Sequence, residues 1–139
     1  MELPKAAYES LITRGTILGA SDFEDIDHEK FFVIIGVYDD CIAGFFFINS
    51  NIHPSIQKKP EQLAMQYFMK RSDYSFLKYD SFLCATNILT RKKSELAENI
   101  QKGTIKIYDS MKEEHLEDLL EKLRESKLFS KIDKKRFFY

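Results

Sequence analysis

Apolar positions change their spacing along the chain. Up to residue 49 they bunch into short runs. Phe31-Phe-Val-Ile-Ile-Gly-Val-Tyr is dense in β-branched and aromatic side chains, which suits a buried strand. Asp39-Asp40 then supplies a turn, and Cys41-Ile-Ala-Gly-Phe-Phe-Phe-Ile-Asn is the next strand, so the pair reads as a hairpin. Before it, residues 4–12 form a short helix opened by proline, and Gly15-Thr-Ile-Leu-Gly-Ala is a short strand. Asn49-Ser-Asn-Ile-His-Pro is loop. A second proline-opened helix is expected from Pro60 to Arg71, although its periodicity is mixed.

Further along, Tyr79–Ala85 and Thr104–Tyr108 alternate as strands do. Ser94–Lys102 places Leu96 and Ile100 on one helical face and stops at Gly103. Ser110 followed by Glu113 is a capping-box pattern. Leu116, Leu119, Leu120 and Leu123 then share one face of an amphipathic helix, with Asp118 and Lys122 paired on its outer side. The tail Lys131–Tyr139 is basic and aromatic. Several short strands without long crossover helices predict a mainly β chain with α. The expected form is an antiparallel sheet or small barrel, with the C-terminal helix over one side or end.

Length and composition narrow the class without naming a function. The 139 residues suit one domain, 1–139, with 44% hydrophobic and 31% charged residues. No apolar run approaches the ~20 residues of a membrane helix, so no membrane is expected. No N-terminal stretch has the charge and apolar core of a signal peptide, and Cys41 and Cys84 are too few for a disulfide framework. A reduced, cytoplasmic setting is the expectation. Both cysteines fall in strand patterns and read as buried apolar residues. Charge is split: residues 1–56 carry 3 Lys/Arg against 9 Asp/Glu, and residues 57–139 carry 18 against 13. Basic runs at Arg91-Lys92-Lys93 and Lys131–Arg136 read as solvated faces or as a polyanion-binding surface.

The sequence contains neither GxGxxG nor GxxxxGK[ST], and no GxSxG elbow. His28, His53 and His115 lack metal-ligand spacing, so no metal or other cofactor is expected, and His115 reads as solvated. The remaining candidates are polar groups at strand ends. Asp27-His28-Glu29-Lys30 precedes the strongest strand, Asn49-Ser50-Asn51 follows its partner, and Thr86-Asn87 follows Ala85. Loop capping explains these residues as well. Strand ends gathered on one rim would instead give a phosphate-binding or acid–base site. Tyr74, Phe76 and Phe137 read as core rings, with base stacking as the other option.

The order of these elements resembles the PemK/MazF-like toxin family over about residues 14–128. The stretches that carry it are Gly15-Thr-Ile-Leu, Asp27–Ile35, Phe47-Ile-Asn-Ser, Asp80–Leu96, Ile100-Gln-Lys-Gly and the helix from Met111. The resemblance implies a small SH3-like antiparallel β-barrel with a C-terminal amphipathic helix. It implies a dimeric, metal-independent endoribonuclease acting on single-stranded RNA and held by an antitoxin. His28 and Lys30 stand where the family opens its second strand with a basic residue. Asn49-Ser50 stands at the family's Thr-Ser-like pair, and Thr86-Asn87-Ile88-Leu89 at its Asp-Gln-x-Arg segment. His28, Lys30 and Ser50 are then the catalytic candidates, with Asn49, Thr86, Asn87 and Arg91 on the substrate. Thr86 and Leu89 replace a carboxylate and an arginine, so a barrel that binds RNA or protein without chemistry is the alternative. A third expectation is another small enzyme using His28 and Cys84.

Overall fold

Strands supply half of the buried apolar residues in the computed structural model, which describes residues 3–21 and 29–139. They are β1 (Thr16–Ala20), β2 (Lys30–Tyr38), β3 (Ile42–Asn49), β4 (Gln66–Met69), β5 (Ser81–Cys84), β6 (Leu89–Lys92) and β7 (Ile105–Ser110). The helices are α1 (Lys5–Glu9), α2 (Pro54–Gln57), α3 (Pro60–Leu63), α4 (Lys93–Lys102), α5 (Glu113–Glu125) and α6 (Lys131–Phe137). Every ladder is antiparallel, in the order β4-β5-β3-β2-β1-β7, with β6 paired to β3. A mainly β chain with helices and an antiparallel sheet is what the strand pattern anticipated.

Closure into a barrel is not found. Strands β4 and β7 end the hydrogen-bonded order, and among the described residues no ladder joins them. The reason lies in side-chain alternation. Successive strand residues point to opposite faces, and here both faces are apolar. Ile17, Val33, Ile35, Phe46 and Ile48 join one buried cluster with Leu119, Leu120 and Leu123 of α5 and Phe137 of α6. Leu18, Phe32, Ile34, Ala43 and Phe45 join a second with Leu96 and Ala97 of α4 and with Ile12. Helices thus cover both faces, and a sheet covered on both faces has no lumen to fill.

The hairpin turn forms as expected. Asp39 and Asp40 both take the left-handed conformation, φ 51° and 53°, the pair of signs that matches the twist of the flanking strands. Farther along the ladder Gly36 pairs with Gly44. A Cβ on Gly36 would overlap the Phe137 carbonyl oxygen, and one on Gly44 would stand 2.6 Å from the Phe137 ring. The two glycines make a notch, and α6 sits in it. Arg14 bridges the same place, donating to the Ile35 carbonyl at 2.7 Å and the Phe137 carbonyl at 3.0 Å.

Several elements differ from expectation. Only Pro60–Leu63 of the predicted 60–71 helix is helical, and Gln66–Met69 is strand because it completes a ladder with β5. The mixed periodicity there was two elements in succession. Ser110 ends β7 rather than capping α5, whose N-cap is Lys112 with no side-chain cap bond. The basic tail forms α6, capped by Ser130, whose hydroxyl accepts from the Asp133 N–H at 3.1 Å. Cys41 is exposed, being beside the turn. Asp118 and Lys122 pair at 3.4 Å as read. Among the described residues no helix is long and apolar enough to cross a membrane.

The notch makes a sharp prediction. Gly36→Ala forces backbone against backbone and should cost about 3 kcal/mol, the upper end of ordinary overpacking. Gly44→Ala meets only a ring and should cost about 1–2 kcal/mol. Urea denaturation should rank the two midpoints in that order, with both below wild type.

Candidate functional site

β2 begins where β3 ends. Phe32 pairs with Phe47, so Lys30 and Asn49, each two residues farther on, project to the same face. The Lys30 ammonium donates to the Asn49 side-chain oxygen and lies 5.2 Å from the centroid of the Phe47 ring. Phe82 of β5 pairs with Asn49, and Gln66 of β4 pairs with Cys84. The face therefore continues through Phe82 and Cys84 to Gln66 and Phe68. Gln66 Nε2 donates to Cys84 Sγ at 3.5 Å, and Thr86 Oγ1 lies 3.4 Å from the same sulfur.

Beside the Lys30–Asn49 pair opens a cleft of about 1130 Å³. Small-molecule pockets run to about 1,000 Å³, so this one admits a ligand of nucleotide size or larger. Lys30, Asn49 and Ser50 line it, with Glu29, His53 and Gln66. Aromatic rings form much of its wall: Phe31, Phe76, Tyr79 and Tyr108. Tyr79 is 68% exposed. Tyr108 donates to the Glu29 carboxylate across the cleft mouth.

Of the residues picked from the sequence, Lys30, Asn49 and Ser50 meet in the cleft. Thr86 is half-buried and joins them only through Cys84, while Asn87 is exposed outside the lining. Arg91 pairs with Ala43 in the ladder. Six residues of strand separate Ala43 from Asn49, about 20 Å, so Arg91 is remote from Lys30. His28 lies outside the described residues. Glu29, one of the polar residues noted before β2, also lines the cleft, whereas Tyr79, Tyr108 and Gln66 were missed as site residues. Strand alternation could have placed Gln66 with Cys84, once residues 66–69 were read as strand.

The electrostatics follow from burial. Lys30 loses basicity chiefly through desolvation, which a charge on Cys84 partly offsets. Tyr108 is pushed up to about 12 by desolvation and by its bond to Glu29. Among the described residues no group of three or more His, Cys, Asp or Glu side chains is placed to hold a metal ion.

The wall at residues 76–79 is fixed from behind. Tyr74 is buried, and its hydroxyl accepts from the Lys112 N–H at 3.0 Å and meets His115 Nδ1 at 2.8 Å. His115 is thus half-buried and hydrogen-bonded rather than solvated, because the segment before β5 packs on the start of α5. Lys112 also pairs with Asp73 at 3.4 Å.

Two measurements check this account. Nitrogen-detected NMR titration should find Lys30 deprotonating below the ordinary lysine value of 10.5, and lower still in Cys84→Ala. Because folding disfavours the charged form, wild type should gain stability relative to Lys30→Met as pH rises from the Lys30 midpoint toward 10.5. Separately, Tyr74→Phe leaves the Lys112 amide and the imidazole without their partner. It should cost about 1–3 kcal/mol in thermal or urea unfolding.

Comparison with known protein families and with curated protein sequences finds no match to this chain.

Proposed function

We propose that this chain is a PemK/MazF-like toxin-type protein that takes single-stranded RNA into the cleft beside Lys30 and cleaves it without a metal ion. The observation that carries the reading is the Lys30–Asn49 pair at the edge of a large, aromatic-walled cleft. Unpaired RNA needs a cation for its phosphate and flat rings for its bases. Lys30 is the cation, and Phe76, Tyr79 and Tyr108 are the rings. The partner of Lys30 is a neutral amide, so an incoming phosphate displaces a dipole rather than a carboxylate.

Attack by the ribose 2′-hydroxyl needs a base, an acid for the departing 5′-oxygen and a cation beside the phosphorane. In this reading Lys30 neutralises the phosphorane and Ser50 orients the hydroxyl. His28, two residues before Lys30, carries the proton work, with Glu29 as the carboxylate of the cleft wall. An SH3-like core fits the way β3 divides its edge between β6 and β5, since small sheets turn corners where a strand changes partners. By the same resemblance the protein works in the cytoplasm as a homodimer restrained by an antitoxin.

The second reading is a module that binds RNA or a protein partner without cutting. The position of Arg91 favours it, since a phosphate-clamping arginine about 20 Å along β3 cannot serve the cleft.

Incubation with mixed single-stranded RNA separates the two. Cleavage should yield 2′,3′-cyclic phosphate ends and fall about 10²–10³-fold in Lys30→Met, with a comparable loss in His28→Ala. Intact RNA bound more weakly by Lys30→Met would select the second reading. RNA neither bound nor cut would remove RNA from both.

A further inference from the structure

The cleft uses neither of the basic runs at Arg91–Lys93 and Lys131–Arg136, yet the fold brings part of each to one place. At the turn end of the hairpin Tyr38 pairs with Ile42, and Ile42 pairs with Lys92. Opposed residues of antiparallel ladders share a face, so these three form a row. Ile42 packs on the cluster beneath α6, which puts the row on the α6 side. Arg136 of α6 then stacks on Tyr38, its guanidinium carbon 4.6 Å from the ring centroid. Lys131 and Lys135 are exposed on α6 one turn apart, a spacing of about 5–6 Å.

Lys93 is neutralised by Asp40 at 2.6 Å, and Asp39 is the exposed acid of the turn. Lys92, Lys131, Lys135 and Arg136 remain against Asp39 and Asp133, an excess of positive charge on a chain of net charge -1. The cleft by Lys30 and a groove between β4 and α5 are lined by other residues. From Lys30 to Tyr38 the strand runs about 27 Å, so the group is separate from the cleft.

We propose that this face anchors the phosphate backbone of a single-stranded nucleic acid. A row of cations with an arginine held on a tyrosine suits a strand of phosphates with bases that stack. The inference stands apart from whether RNA is cut in the cleft.

Fluorescence anisotropy with a labelled oligothymidylate tests it, since that strand has no 2′-hydroxyl to react. Affinity is measured from about 50 to 200 mM salt for wild type, Lys30→Met and the triple variant K92Q/K135Q/R136Q. Each contact to a single strand contributes about −0.7 to the slope of log K against log salt. The triple variant should therefore lose about 2 units of slope and bind at least about 20-fold more weakly at about 50 mM salt, with an unchanged circular dichroism spectrum. Lys30→Met should keep most of the slope. A wild-type slope in the triple variant overturns the proposal, as does wild-type protein that fails to bind at about 50 mM salt. Polyglutamate competing better than unlabelled oligothymidylate also overturns it. A loss confined to Lys30→Met assigns binding to the cleft and overturns the surface. A loss confined to the triple variant leaves the surface standing and counts against the cleft.

Discussion

Phe137 rests where two strands carry no side chain. Gly36 and Gly44 face each other in the β2–β3 ladder, and the hollow they leave receives both the ring and the carbonyl of Phe137. Any larger residue would lift α6 off the sheet. Once seated, the end of α6 offers carbonyls that two arginines reach. Arg14 takes the Phe137 and Tyr139 oxygens, each at 3.0 Å, and Arg124 of α5 takes the Phe138 oxygen at 2.6 Å. Burial lowers the basicity of Arg14, and the nearby Arg124 adds to that, so these carbonyl bonds offset the cost of holding the two cations close. Helix α6 thereby covers the turn half of the hairpin and leaves the opposite end of the same two strands open.

That open end borders the cleft, and its geometry is inherited from the turn and the ladder between. Two left-handed aspartates form the turn, and a register shift between Ile34 and Gly36 then sets which residues of β2 and β3 face each other at the far end. A slip of one residue would send Lys30 and Asn49 to opposite faces. Correct register is thus sufficient to pair them without any local motif. Tyr74 serves the cleft in a comparable way from a distance: by tying residues 71–80 to the start of α5, it holds the ring-bearing wall in place. The cleft is in this sense preformed, since one wall belongs to the hairpin and the other to a segment anchored in the core.

What could be read from the sequence follows from how local each cause is. The hairpin was legible because residues 31–49 combine a continuous apolar run with a turn dipeptide, and both signals act over a few residues. The leucine face of α5 was legible for the same reason. Gln66–Met69 was not, because it becomes strand by pairing with β5, a partner fifteen residues away along the chain. The barrel expectation failed on a related point. Apolar strands tell that both faces are buried, but not whether a second sheet or a layer of helices buries them. In the site, Lys30, Asn49 and Ser50 were legible because strand ends in one hairpin must meet. Tyr108 and Tyr79 come from segments whose approach depends on the whole topology.

Charge shows most clearly why linear patterns mislead. The chain divides into an acidic first part and a basic remainder, yet folding withdraws several of these charges by pairing, mostly within the remainder itself. Lys93 meets Asp40, Lys112 meets Asp73, Lys122 meets Asp118 and Lys102 meets Glu98. Exposed pairs of this kind contribute about 0–1 kcal/mol each, so they matter less for stability than for removing charge from view. Lys30 belongs to the acidic part of the sequence, its hydrogen-bond partner is an amide, and its ammonium lies over an aromatic ring. An amide orients an ammonium without cancelling it, and partial burial strengthens the pull of that charge on any anion entering the cleft. A cation is therefore left uncancelled here through the neutrality of its partner, a property that no count of lysines along the chain contains.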